Sequence, residues 1–273
     1  MSLFTPAQTL ENYCATGCAK AERAPLPAFL LAVLAGALIA LGGAASATAT
    51  YAMANPSLAK LISGLLFPFG LAIVILSGAE LFTGNCLITL SVLDRKTTLG
   101  NMLRSWAIVY LGNFVGAAAV AGSYVYFVRL PADLAAAMAR TASAKCSLTF
   151  PQGVVLGLWC NILVCLAVLL SLSAQDLSGR VMGAYLPVAF FIFCGFEHSV
   201  ANMYYIPAGL FVGTLPQYAS ALEGLSLPAL NWGNFFFANL LPVTLGNILG
   251  GALLSYLLFR SHLGAPAPQQ SRT

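Results

Sequence analysis

Charge is scarce in this chain. Asp, Glu, Lys and Arg make up 7% of its 273 residues, against about 25% in an ordinary soluble domain. A larger core cannot account for the shortage, because a globule of this length still needs a wet surface. Lipid is therefore the main solvent. No basic cluster interleaved with aromatics occurs, which excludes a nucleic-acid-binding surface. Metal-type spacing is also missing: the seven cysteines are odd in number and mostly sit in apolar runs, where a free Cys behaves as a small hydrophobe. Cys14 and Cys18 share a face of an N-terminal helix, where packing explains them. No metal site and no cofactor is expected.

What the chain has instead is apolar length. Hydrophobic residues account for 59% of it, in runs that repeatedly reach the roughly 20 residues a membrane helix needs. The pattern predicts an all-α polytopic membrane protein. Six spans are expected at 28–51, 61–93, 102–128, 153–172, 181–211 and 235–259. Residues 1–27 form a cytoplasmic segment that can fold as an amphipathic helix on the membrane surface. Residues 28–260 form the six-span domain, and 261–273 a short, disordered cytoplasmic tail. The small residues Ala45, Ala47 and Ala49 mimic a signal-peptide cleavage site, but a long polar leader precedes them, so the first span is read as retained. With both termini cytoplasmic, that side holds Lys20, Arg23, Arg95, Lys96, Arg104, Arg180, Arg260 and Arg272, against Lys60, Arg129, Arg140 and Lys145 outside. The positive-inside rule favours this orientation.

The second and fifth spans are too long for single helices and are interrupted by small and polar residues. The interruptions match. Residues 78–85 read GAELFTGN and residues 195–202 read GFEHSVAN, 117 positions apart (195 − 78). Both follow Gly-x-Glu-x-x-x-small-Asn, which aligns Glu80 with Glu197 and Asn85 with Asn202. A second pair, LGNFVG at 111–116 and LGNILG at 245–250, follows each break in the next span. Three spans separate each feature from its copy, and an odd number inverts the repeat across the membrane. The expected fold is a 3+3 inverted repeat (about 28–130 and 150–260) with broken second and fifth helices. Such breaks mark a site near the bilayer midplane, because irregular backbone there must be buried or line a polar path.

Ionisable residues within spans are functional candidates by default, and only Glu80, Glu197 and His198 stand out. The two glutamates obey the repeat. A proton relay is one reading; the favoured one is structural, each carboxylate capping free N–H groups at the start of a half-helix. His198 breaks the repeat, its counterpart being Leu81. It is read as a pore residue able to donate to an anion, with Thr83 offering a hydroxyl towards the same point. Asn161 and Asn247 line the path or bridge helices. Lys145 draws anions into a vestibule or is simply solvated. Phe67, Phe82 and Phe191 flank the breaks as apolar constrictions or packed aromatics; Phe82, inside the break, is read as a constriction.

These motifs, together with CNILVCLAV (160–168), GFEHSVANMYYIPAG (195–209) and LLPVTLGNILGG (240–251), resemble the formate/nitrite transporter family over all six spans. The resemblance implies an aquaporin-like protomer of a homopentamer in a bacterial cytoplasmic membrane, each protomer with its own pore for small monovalent anions: formate, nitrite or hydrosulfide. It implies that His198 is the central pore histidine and Thr83 its partner. It puts Phe67, Leu71, Leu81, Phe82 and Phe191 at constriction positions, and it makes Lys145 and Asn247 residues that favour anions. MYYIPAG is more like the formate and hydrosulfide branches than the nitrite branch. The expected mechanism is passage of a weak acid protonated, or hydrogen-bonded, near His198, in company with protons. Two rivals from other classes are an intramembrane enzyme using Glu80, Glu197 and His198, which lacks a nucleophile paired with a base, and an aquaporin-type channel for neutral solutes, which would be indifferent to His198.

Overall fold

The computed structural model describes residues 3–264; Arg272 and most of the expected tail lie outside them. Ten principal helices lie among the described residues. Helix α1 (Pro6–Glu22) precedes α2 (Pro25–Thr50), α3 (Pro56–Ser77), α4 (Phe82–Leu93), α5 (Leu99–Phe127), α6 (Ala132–Cys146), α7 (Phe150–Ser173), α8 (Leu177–Cys194), α9 (Ser199–Val212) and α10 (Trp232–Leu263). Six of them, α2, α3, α5, α7, α8 and α10, are long and apolar enough to cross a membrane. The starts follow local sequence chemistry. Thr5 and Gln8 cap each other's backbone at α1, Thr149 and Gln152 do so at α7, and Asn55, Thr98 and Asp176 accept from the first-turn amides of α3, α5 and α8. Such caps satisfy donors that have no intrahelical partner.

The expected second span resolves into α3, a break, and the short α4; the fifth resolves into α8, a break, and α9. Helix α3 bends at Pro68, which cannot donate into the ladder. Helix α10 carries π-helical turns at Phe235–Leu240 and Phe259–Leu263 and so runs past the expected end at 259. One helix was not anticipated: α6, between the third and fourth spans, is too short and polar to cross a bilayer. It packs on α9.

The repeat is visible in the packing. Helix α2 lies along α5 in the first half, and α7 along α10 in the second. Both contacts are made backbone to backbone at glycine. A Cβ on Gly116 would overlap the Val33 carbonyl oxygen, and one on Gly250 would overlap that of Leu158. With no water to drive helices together in lipid, close approach at small residues is what binds them. The outer faces carry exposed leucines such as Leu30, Leu41, Leu111 and Leu249, as a lipid-facing surface requires. Helix α1 docks against α4, burying Leu10, Tyr13, Cys14 and Gly17. Cys14 thus packs as expected, and all seven cysteines are free.

Candidate functional site

Both breaks begin with the same backbone device. Helix α3 ends at Gly78 (φ 70°, ψ 19°) and α8 at Gly195 (φ 70°, ψ 32°), a left-handed conformation that costs other L-residues about 1–2 kcal/mol. Extended chain follows, leaving peptide groups without helical partners. A buried unpaired peptide group is costly, and one asparagine in each half removes that cost. Asn113 Oδ1 accepts from Phe82 N–H (2.9 Å), while its Nδ2 donates to the carbonyls of Ala32 (2.8 Å) and Glu80 (2.9 Å). Asn247 Oδ1 accepts from Ser199 N–H (3.0 Å), and its Nδ2 donates to Gly157 (2.8 Å) and Glu197 (3.1 Å). These are the asparagines of the duplicated LGN motif, 134 positions apart (247 − 113). Asn161 Nδ2 donates to the Asn247 carbonyl at 2.6 Å, tying α7 to α10.

The glutamates do something other than expected. Neither carboxylate caps a half-helix amide; the asparagines occupy that role. Each glutamate instead holds a lysine and the asparagine five residues on. Glu80 Oε2 accepts from Lys20 Nζ (2.8 Å) and Asn85 Nδ2 (2.7 Å). Glu197 accepts from Lys145 Nζ (2.9 Å to each oxygen) and Asn202 Nδ2 (2.6 Å). Asn202 Nδ2 also reaches Asn239 Oδ1, whose own amide donates to the Lys145 carbonyl. Lys145 is therefore half-buried and paired, not solvated. Its ammonium also stands 5.4 Å from the centre of the Tyr205 ring. Lys20 comes from α1 and Lys145 from α6, so these two helices, neither of which spans, have equivalent tasks.

Between these matched triads sits the unmatched pair. His198 is the N-cap of α9; its Nδ1 accepts from Ala201 N–H at 3.0 Å, and its Nε2 lies 2.8 Å from Thr83 Oγ1. At the equivalent place in the first half, Leu81 precedes α4 with no side-chain cap. The two half-helices thus meet through a single polar contact, and both residues are buried. Phe191 stacks on the His198 ring at 5.9 Å and meets Phe67 edge-on at 5.7 Å. Phe82 is turned against Tyr110 (4.8 Å) and Trp106 (6.0 Å) of α5.

Two cavities approach from opposite ends. One, of about 350 Å³, is lined by Lys20, Glu80, Asn85, Leu71 and Leu81 among others. The second, of about 220 Å³, is lined by Tyr51, Thr141, Tyr204 and Tyr205 among others. His198, Thr83, Phe67 and Phe191 line neither, so an apolar collar encloses the polar pair. Among the described residues no group of three or more His, Cys, Asp or Glu is arranged to hold a metal. Sequence reading singled out neither Lys20 nor Asn113. The repeated LGN motif was the available signal for Asn113; for Lys20 there was none short of the fold.

The chain also has relatives among known proteins. Residues 7–260 match the sequence profile of the formate/nitrite transporter family. The chain is 37% identical to a probable formate transporter of Methanothermobacter thermautotrophicus, covering 94% of this chain and 96% of that one. It is 35% identical to the formate channel FocA of Escherichia coli (strain K12), covering 94% and 93%. A pentameric formate channel solved with formate bound superposes with a TM-score of 0.77 at 34% identity, covering 87% of this chain and 96% of that one.

Proposed function

Since the chain belongs to the formate/nitrite transporter family, a family of transporters and channels and not of enzymes, we propose that it conducts formate as its principal substrate. Nitrite and hydrosulfide are the alternatives within the same pore. We further propose a homopentamer, each protomer with its own path, in a bacterial cytoplasmic membrane with both termini inside. The pentameric relative supports the assembly.

The observation that carries the mechanism is the pair of contacts made by His198. A neutral imidazole has one donor nitrogen and one acceptor. Its Nδ1 accepts from Ala201 N–H, so the ring proton is on Nε2 and is donated to Thr83 Oγ1. The Thr83 hydroxyl hydrogen is then free for an anion. Protonating Nδ1 would set two donors against each other and break the cap of α9. In this reading His198 orients and polarises Thr83 and does not deliver the proton itself. This narrows the expectation from sequence, which left both roles open.

Anions enter by the two approaches, near which Lys20 and Lys145 stand paired with Glu80 and Glu197 and offer ammonium donors without net charge. A bare anion cannot pass the Phe67–Phe191 collar, because burying an unpaired charge costs far more than a hydrogen bond returns. The formic acid carboxyl titrates near about 4, like an Asp side chain. Leaving water favours its protonated form, so the anion takes its proton from vestibule water and crosses as the neutral acid, held by the Thr83 hydroxyl. The symmetric Glu80 and Glu197 position the lysines and the Asn85 and Asn202 side chains. The test is formate uptake into proteoliposomes at two pH values for His198→Asn, which can still cap α9, and for Thr83→Val. Slowed uptake in both is expected. Wild-type rate and wild-type pH dependence in both would remove the pair from the mechanism.

A further inference from the structure

The two vestibules should carry equal charge if the repeat were complete, and they do not. On each side a lysine is cancelled by a glutamate: Lys20 by Glu80, Lys145 by Glu197. The cavity under α1 has two more cations, Arg23 and Arg180, and no further acid in its lining. Three cations against one carboxylate leave a net charge of +2. The opposite cavity is lined by no formally charged side chain. Ser63 occupies the place of Arg180 in the first half (180 − 117), and the cation at the opposite break, Lys60, whose Nζ lies 2.9 Å from where a Gly195 Cβ would stand, is outside the lining of that cavity.

Both arginines have unused donors. Arg180 forms no ion pair or side-chain hydrogen bond among the described residues, and its Nε is buried without a partner. Asp176, one turn earlier, spends its carboxylate on capping α8 through Gly179 N–H. Arg23 Nε stands 3.3 Å from Glu80 Oε1, yet its geometry leaves both atoms without a hydrogen bond. Guanidinium donors of this kind match tetrahedral oxyanions. A site meant only to pass a monovalent ion must bind weakly enough to release it, and two surplus charges exceed that need.

We propose that the cavity under α1 binds a small divalent oxyanion of the sulfate or phosphate-monoester class, which plugs the pore from that face. Its two charges balance the excess of +2. It cannot follow formate inwards, because the cost of burying charge rises with the square of that charge, and it cannot become neutral by taking up one proton. The plugging part rests on the channel function proposed above; the binding part does not.

Calorimetric titration of the purified protein with sodium sulfate, in a neutral phosphate-free detergent, tests the binding. Sodium chloride at equal ionic strength is the control. Saturable binding is expected for sulfate alone, weakened at least tenfold by Arg180→Gln and also by Arg23→Gln. Sulfate binding no stronger than chloride, or unchanged in both variants, overturns the site. Loss of sulfate binding on adding a small fraction of phosphatidylglycerol assigns the site to a lipid headgroup and overturns the soluble-anion reading. Formate flux is then followed in vesicles whose orientation is read by protease access to α1. Sulfate on the α1 face slows flux at least fivefold in wild type and not in Arg180→Gln, which conducts normally without sulfate. Equal block from both faces, or binding without block, overturns the plug. Absence of formate flux altogether counts against the channel proposal alone, since calorimetry requires no permeation.

Discussion

Replacing Asn113 by Ala removes three hydrogen bonds from the first break: one from Phe82 N–H and two to the carbonyls of Ala32 and Glu80. All three partners belong to buried residues. Polar contacts between membrane helices average about 0.6 kcal/mol and reach about 1.7, so three come to about 2–5 kcal/mol. For a chain of this length that corresponds to a fall of about 4–20 °C in melting temperature. Asn113→Asp sharpens the reasoning. It has the same size and keeps the acceptor for Phe82 N–H, but it turns an oxygen towards two carbonyls; it should lose stability as well, although no cavity is created. The assay is thermal unfolding of the detergent-solubilised protein, followed by loss of its size-exclusion peak. A shift of under about 2 °C for Asn113→Ala, or an Asp variant as stable as wild type, would refute the claim that Asn113 stands in for missing helical partners. Asn247→Ala, its mate in the repeat, should fall by a similar amount.

Two further outcomes follow from the same geometry. Lys145→Met leaves the Glu197 carboxylate enclosed without its ammonium, at a cost of about 3–5 kcal/mol, whereas the double variant Lys145→Met with Glu197→Gln recovers most of the loss; melting temperatures of both check this, and equal loss in the two would count against the pair. Gly78→Ala meets no neighbouring atom, so it reports backbone strain alone, about 1–2 kcal/mol; Gly195→Ala brings its methyl within 2.9 Å of Lys60 Nζ, the free end of a flexible side chain that can move aside, so it should cost about the same, and a much larger loss in the same melts would count against this.

Much of this arrangement is legible in the chain because it is written twice. Six apolar runs, two Gly-x-Glu breaks and two LGN motifs were enough to indicate the six spans and the inversion, and the mismatch of His198 with Leu81 pointed to the centre. What escaped depends on contacts over long sequence distance. Glu80 next to a helix start looks like a cap until the fold brings Lys20 to it from 60 residues away. Helix α6 was invisible because it neither spans the membrane nor alternates sharply in polarity. The role of Lys145 could not be read before the position of α6 was known. Phe82 lies within the break, but the direction of its ring is set by Trp106 and Tyr110, which come from another span.

The lysine–glutamate pairs also bear on how such a chain enters a membrane. Synthesis runs from the N-terminus, and in each pair the lysine is made first: Lys20 precedes Glu80 by 60 residues and Lys145 precedes Glu197 by 52. A carboxylate arriving in hydrocarbon without a partner would resist insertion. Here its counter-charge is already present on a helix that does not itself span the bilayer. Among the described residues, each buried acid is thus synthesised after the base that it pairs with.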